Sequence, residues 1–189
     1  MNKLGLKLKM LILLFYSFWK KKQFKKTGNK IVFKYPLYLY GGKNIIIGDN
    51  FNSGYRFQLE SHKEHLGFYF NPQILIGNNV SINNDCHIGA INKIIIGDNV
   101  LIASKVFITD HYHGEITKEG IQLPPSKRKL FSKGPVIIGN GVWIGEGVVI
   151  LPNVTIGANS IIGANSVITR NIPENSVVGG NPAKIIRTL

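Results

Sequence analysis

Isoleucine recurs at positions 138, 144, 150, 156, 162 and 168, usually followed by glycine, then small polar residues, then valine or serine. A period fixed at six fits neither the 3.6 of a helix nor the simple alternation of a flat strand. It marks a solenoid, in which each unit buries its apolar residue only by stacking on its neighbours. The prediction is an all-β chain wound as a parallel β-helix. Three hexads close one coil, with coils roughly 4.8 Å apart. Ile138 then stacks on Ile156, Ile144 on Ile162, and Ile150 on Ile168. Each corner bends the backbone towards the left-handed region, which glycine and asparagine tolerate best. Asn79, Asn99, Gly141, Asn159 and Asn165 fall at the fourth place of their hexads, as such corners require.

Upstream the pattern is less regular. Residues 31–40 alternate and are aromatic, as in a leading strand, and the hexads begin unevenly at Ile47. Residues 53–73 fit poorly, which predicts wide turns or a short excursion. Isoleucines return at 76, 82 and 88, then at 96, 102 and 108. The step from 88 to 96 is eight, so two extra residues bulge out around 90–93. After Ile108 the hexads stop, and residues 112–135 form a polar protruding loop with a basic cluster at Lys127, Arg128, Lys129 and Lys133. Long loops in compact folds are more often functional than accidental.

Ahead of the solenoid, residues 10–19 (MLILLFYSFW) form an apolar block flanked by Lys3, Lys7 and Lys9 and by Lys20, Lys21 and Lys22. As a helix it spans roughly 15 Å, about half of a hydrocarbon core of ~30 Å, and does not cross a membrane. SFWKKK offers no signal-peptide cleavage site. Two readings stand. Residues 1–26 lie on an anionic membrane with Phe15, Phe18 and Trp19 inserted, or the block covers the open end of the β-helix. The chain thus divides into a basic amphipathic N-terminal helix or extension, 1–30, and a solenoid domain, 31–189.

Composition narrows the function. At 189 residues and 44% hydrophobic, the chain forms one globular domain with a small appendage. The lone Cys86 excludes an internal disulfide and a cysteine metal cluster, which fits a reducing, cytosolic setting. Residues 1–30 hold nine lysines and no acid, so +9 of the net charge of +13 is terminal. That distribution argues against a nucleic-acid surface, which spreads basic and aromatic residues over the fold.

The chemistry-bearing motif is ITDHYHG, where the protruding loop opens. Imidazole titrates near neutral pH and can take a proton from a poor nucleophile such as a sugar hydroxyl. Together with the hexads, the VWIG run and the closing GGNPAKIIR, this motif resembles the hexapeptide-repeat acyltransferases over residues 31–187. Within them it is most similar to the galactoside, maltose and chloramphenicol O-acetyltransferase group, and to bacterial enzymes that O-acetylate capsule, lipopolysaccharide or exopolysaccharide sugars.

That resemblance implies a left-handed β-helix with a short C-terminal helix, a homotrimer with sites between subunits, and acetyl-CoA as acetyl donor. It implies a histidine general base at His111, with His113 as competitor. Asn92, Asp110 and Glu115 are candidates to orient the ring, and His87, Asn92 and Asp110 stand on the acceptor side. For acetyl-CoA it points to Trp143 as an aromatic wall and to Gly145 and Glu146 as lining, with a backbone N–H there as oxyanion donor. Gly163 and Ala164 would admit the pantetheine arm, and Thr169, Arg170, Lys184 and Arg187 would reach the adenine and phosphates. Glu146 departs from the small residue often found there, which favours backbone over side chain as oxyanion donor. His62 and His65 carry no motif. A zinc site of the γ-carbonic anhydrase kind needs histidines from adjoining coils, and residues 129–153 contain none, so no metal is expected. The expected function is acetyl transfer to a hydroxyl of a cell-surface glycan or its precursor, in the cytoplasm or at the inner membrane face. An N-acetyltransferase acting on an amino or nucleotide sugar is the alternative, ahead of a noncatalytic scaffold.

Overall fold

The structure is a computed structural model and describes residues 3–189. Met1 and Asn2, which begin the predicted N-terminal segment, lie outside the described residues. Helix α1 covers Lys3–Lys21, and from Lys26 onward the chain visits three parallel sheets in rotation. The first sheet takes Lys26–Thr27, Ile45–Ile47, Gln73–Ile76, Lys93–Ile96, Val136–Ile138 and Thr155–Ile156. The second runs from Val32–Phe33 through Leu101–Ile102, Trp143–Ile144 and Ile161–Ile162 to Ser176–Gly180. The third takes Leu37–Tyr40, Phe57–Ser61, His87–Ala90, Phe107–Thr109, Val149–Ile150 and Val167–Ile168.

The expected register holds. Ile138 pairs with Ile156, Ile144 with Ile162, and Ile150 with Ile168. These side chains point inward, each 1% exposed or less, because alternate residues of a strand face opposite sides of its sheet. At the leading end the stack is aromatic: Phe33, Phe51 and Phe57 are fully buried, and Phe24 lies flat on Phe33 with ring centres 5.2 Å apart. The corners are left-handed as predicted, with φ of 56° at Asn79, 59° at Asn99, 57° at Asn159 and Asn165, and 68° at Gly141. Their amides also join the coils. Asn50 donates to Asn79, and Asn79 to Asn99, at 2.8 and 3.0 Å.

Three irregular segments resolve into defined structure. The poorly matching stretch contains a small antiparallel hairpin, Glu64–His65 with Phe68–Tyr69, turning through Leu66 and Gly67 at φ 54° and 80°, the dihedral sign that two-residue hairpin turns need. The protruding loop has an antiparallel stem, Tyr112–His113 with Leu130–Phe131. Arg128 staples it from within, donating to the carbonyls of Leu123, His113 and Ile121. The third is a correction. Ala183–Thr188 is a strand, not the expected short helix, and folds back antiparallel on Ser176–Gly180. Gly180, at φ 104°, reverses the chain, and the adjacent Ile185 and Ile186 suit a strand better than a helix.

Helix α1 caps the first coil. Ser17 is buried; its hydroxyl accepts from the Phe33 N–H at 2.9 Å and donates to the Leu13 carbonyl at 2.8 Å. The Tyr16 hydroxyl accepts from the Leu37 N–H at 2.9 Å, and this hydroxyl's burial raises its pKa against the opposing effect of that bond. Cys86 is buried just before the third-sheet strand His87–Ala90, with Sγ 3.0 Å from the Ala103 carbonyl, and burial pushes its thiol up to about 11.

Candidate active site

His111 follows the third-sheet strand Phe107–Thr109, where the chain leaves the solenoid for the protruding loop. Its Nδ1 lies 3.0 Å from Oδ1 of Asp110, which is fully buried, and 3.2 Å from the Thr109 hydroxyl. The same carboxylate accepts the N–H groups of Ile91 and Asn92 at 2.9 and 2.8 Å. Ile91 and Asn92 are the two residues that lengthen the step between isoleucines 88 and 96. The bulge therefore aims two backbone donors at Asp110 and holds it beside the ring. A carboxylate only accepts, so Nδ1 donates and Nε2 carries the lone pair. This is the geometry of an oriented general base.

His111 borders a cavity of about 450 Å³ on the outer face of the third sheet. All five histidines of the chain, 62, 65, 87, 111 and 113, line it. Across the cavity from His111 stands Glu60, whose Oε2 lies 3.2 Å from His62 Nε2 and 3.3 Å from His87 Nε2. Burial pushes the Glu60 carboxyl up, but the hydrogen bonds from Gln58 and His62 and the nearby His87 outweigh it and leave it below the usual carboxylate value. Ionised Glu60 accepts from both imidazoles, so each keeps Nδ1 as an acceptor. Gly89 lies between the two sides: a Cβ there would sit 3.5 Å from His87 Nε2 and 3.7 Å from His111 Cε1.

The predicted residues separate into groups. His113 is exposed and sits edge-on to His65, ring centres 5.9 Å apart, whereas His111 is the ring held by a buried carboxylate. His87 faces the cavity. Asp110 lies beneath the His111 ring with an oxygen on its Nδ1, and the Asn92 amide turns away to the Ser132 hydroxyl at 3.3 Å. Glu115 is exposed, out in the loop. Glu60, His62 and His65 are cavity-lining residues that the sequence did not single out. Two outlying pieces close over them, since Lys129 of the protruding loop lies over the Phe68 ring of the small hairpin at 5.1 Å.

The expected donor residues lie elsewhere. Trp143 is half exposed on the second sheet, in a row with Leu101 and Ile161. Gly145 and Glu146 occupy the corner between second and third sheets, as do Gly163 and Ala164 one coil on. A Cβ on Gly145 would lie 2.6 Å from the Ala164 nitrogen, so coil stacking itself requires glycine there. The Gly145 N–H already donates to the Ile162 carbonyl at 2.8 Å, which removes it as an oxyanion donor. Glu146 pairs with Lys105 at 3.2 Å on the surface. Lys184 and Arg187 are exposed on the final strand, opposite Gly179 and Val177. Thr169 and Arg170 follow the third-sheet strand Val167–Ile168, at the same end of the strands as His111 but two strands further along the sheet. Among the described residues no group of three or more His, Cys, Asp or Glu is placed to hold a metal ion.

Comparisons with known proteins agree with this architecture. Residues 135–170 match the family described as bacterial transferase hexapeptide (six repeats). The chain is 40% identical over 160 residues to a protein of Escherichia coli K12 named as the lipopolysaccharide biosynthesis O-acetyl transferase WbbJ, covering 82% of this chain and 78% of that one. It is 28% identical to the hexapeptide-repeat acetyltransferase VCA0836 of Vibrio cholerae, solved with acetyl coenzyme A, with a TM-score of 0.56 over 90% of this chain and 74% of that one. The fold alone is shared with AntD, an N-acyltransferase of Bacillus cereus, at 21% identity and a TM-score of 0.72 over 90% and 86% of the chains. The stacked hexads, the loop histidine on its buried aspartate and the WbbJ likeness converge: the chain belongs to the hexapeptide-repeat transferase family, among its acetyltransferases.

Proposed function

We propose that the protein transfers acetyl from acetyl-CoA to a hydroxyl of a cell-surface glycan or its precursor, with His111 as general base. The observation that carries this reading is the buried Asp110 fixed to Nδ1 of His111 at the edge of a histidine-lined cavity. His111 Nε2 takes the hydroxyl proton as that oxygen bonds to the acyl carbon. The carbon–sulfur bond then breaks, and the proton passes from His111 to the departing thiolate, so no acyl-enzyme forms. The likeness to WbbJ supports a lipopolysaccharide-type acceptor. Because acetyl-CoA is an intracellular thioester, the proposal places the reaction in the cytoplasm.

The same proposal includes a left-handed β-helix and a homotrimer with shared sites. What supports sharing is the separation within one chain. His111, Thr169 and Arg170 lie where third-sheet strands end, and Trp143, Gly145 and Ala164 lie on the side where those strands begin. A donor in contact with both sets would run between adjacent subunits. On the acceptor side, Glu60 holds His62 and His87 with Nδ1 available to sugar hydroxyls. Glu60→Gln is expected to raise the acceptor KM about tenfold, in line with a charged hydrogen bond of about 1.5 kcal/mol, with kcat changed less than threefold in steady-state kinetics.

The test is transfer of labelled acetyl to a glycan panel, followed by mild alkali. An ester releases the label, as this reading requires. A stable amide would favour transfer to an amino sugar, and absence of transfer to every acceptor would leave a noncatalytic scaffold.

A further inference from the structure

Helix α1 has two faces, and the solenoid accounts for only one. The buried Ser17 and half-buried Leu13 and Tyr16 define the docked face, fixed by the bonds to Phe33 and Leu37. On the opposite side, at helical spacing, Leu8, Leu11, Phe15 and Phe18 form an exposed stripe with Trp19 beside it. Leu11 is 64% exposed, Phe15 67%, Phe18 57% and Trp19 55%. A docked helix cannot roll to hide this stripe, because turning it would withdraw the Ser17 hydroxyl from the Phe33 N–H. Capping and outward display are therefore compatible, where the sequence presented them as alternatives.

The charges around the stripe indicate its occupant. Lys7 and Lys9 flank its first residue, Leu8; Lys20, Lys21 and Lys22 close it; and residues 1–30 contain no acid. Lys22 lies over the Phe18 and Trp19 rings at 4.9 and 4.7 Å, which places an ammonium among the apolar residues. A second copy of this helix would bring like charges together, whereas an anionic lipid surface neutralises them, at about 1 kcal/mol per lysine near the surface. No helix among the described residues is long and apolar enough to cross a membrane. An amphipathic helix with lysines and Trp, Phe and Leu on its apolar face lies in the headgroup plane. We propose that α1 is a peripheral membrane anchor, inserting Leu11, Phe15, Phe18 and Trp19 into an anionic bilayer surface while its other face caps the solenoid.

The experiment uses the full chain and vesicles of phosphatidylcholine alone or with about one third phosphatidylglycerol. Co-sedimentation is expected with the anionic vesicles, with at least tenfold weaker binding to the zwitterionic ones and weakening in high salt. Phe15→Glu with Phe18→Glu should reduce anionic binding at least tenfold, with the circular dichroism spectrum and mass in solution unchanged. A W143F background leaves Trp19 as the sole indole, and its emission should shift to the blue on anionic vesicles alone. If the double glutamate variant does not fold, loss of anionic binding by Lys20→Glu with Lys21→Glu, read together with the Trp19 emission, decides the matter instead. Equal binding of wild type and variant, no binding by wild type, or an altered oligomer in the folded variant overturns the proposal, the last by showing that the stripe covers a second copy. None of these readouts depends on acetyl transfer, so the anchor and the proposed activity fail separately.

Discussion

His111→Ala is expected to lower kcat by about 10²–10⁴, the range for loss of a positioned general base, with the acceptor KM and the melting temperature little changed. The ring is partly exposed at a cavity wall, so removing it leaves no sealed void in the core. Its contribution falls in the step where the hydroxyl proton leaves, because a sugar hydroxyl attacks a thioester slowly while it keeps that proton. Added imidazole should restore part of the rate, since the Asp110 carboxylate remains in place to receive a diffusible ring. A fall in kcat under threefold would assign the base elsewhere, and His113→Ala with the larger loss would assign it to the other loop histidine.

The second large effect is expected at Asp110, one residue away and differently expressed. Asp110 accepts from three donors: Nδ1 of His111 and the N–H groups of Ile91 and Asn92. Asp110→Asn keeps the shape but exchanges one oxygen for an amide that can only donate. If that amide takes the place of Oδ1, the ring must turn its lone pair to Nδ1 and place the proton on Nε2, the wrong tautomer for a base, and the Ile91 N–H loses its acceptor as well; kcat then falls by about 10²–10⁴. If it takes the place of Oδ2, His111 keeps its acceptor and only the Asn92 N–H is left unpaired, at about 1–3 kcal/mol of stability. A merely structural role would lower the melting temperature and leave the tautomer alone. Imidazole nitrogen NMR separates the two, because Nε2–H and Nδ1–H forms of His111 give distinct patterns. An unchanged tautomer together with an unchanged kcat would remove Asp110 from the positioning role.

The repeat was legible because one physical requirement wrote it many times. Every coil needs an inward isoleucine and a left-handed corner, so the positions of Ile138 to Ile168 and of Asn79 to Asn165 could be read by counting. His111 was legible for the opposite reason, as a titratable residue where counting stops. Glu60 and His62 were not legible, because they sit where the period lapses. Only the pairing of Phe57–Ser61 with His87–Ala90 brings Glu60 to the level of Gly89, and thus beside His87. The placement of Asn92 was legible only by half: it lies near His111, but its backbone N–H rather than its side-chain amide reaches Asp110. The final strand was misread because AKIIR has no periodicity of its own, and its strand state depends on Ser176–Gly180 offering an edge.

Cys86 has a practical consequence. A thiol raised to about 11 and buried against Ala103 is almost wholly protonated at neutral pH and shielded from reagents. The native chain therefore gives a silent background for site-directed labelling. A single cysteine placed on the small hairpin or on the protruding loop would be the one reactive sulfur, and a fluorophore there would report the opening of the cavity rim with no wild-type residue removed for the purpose.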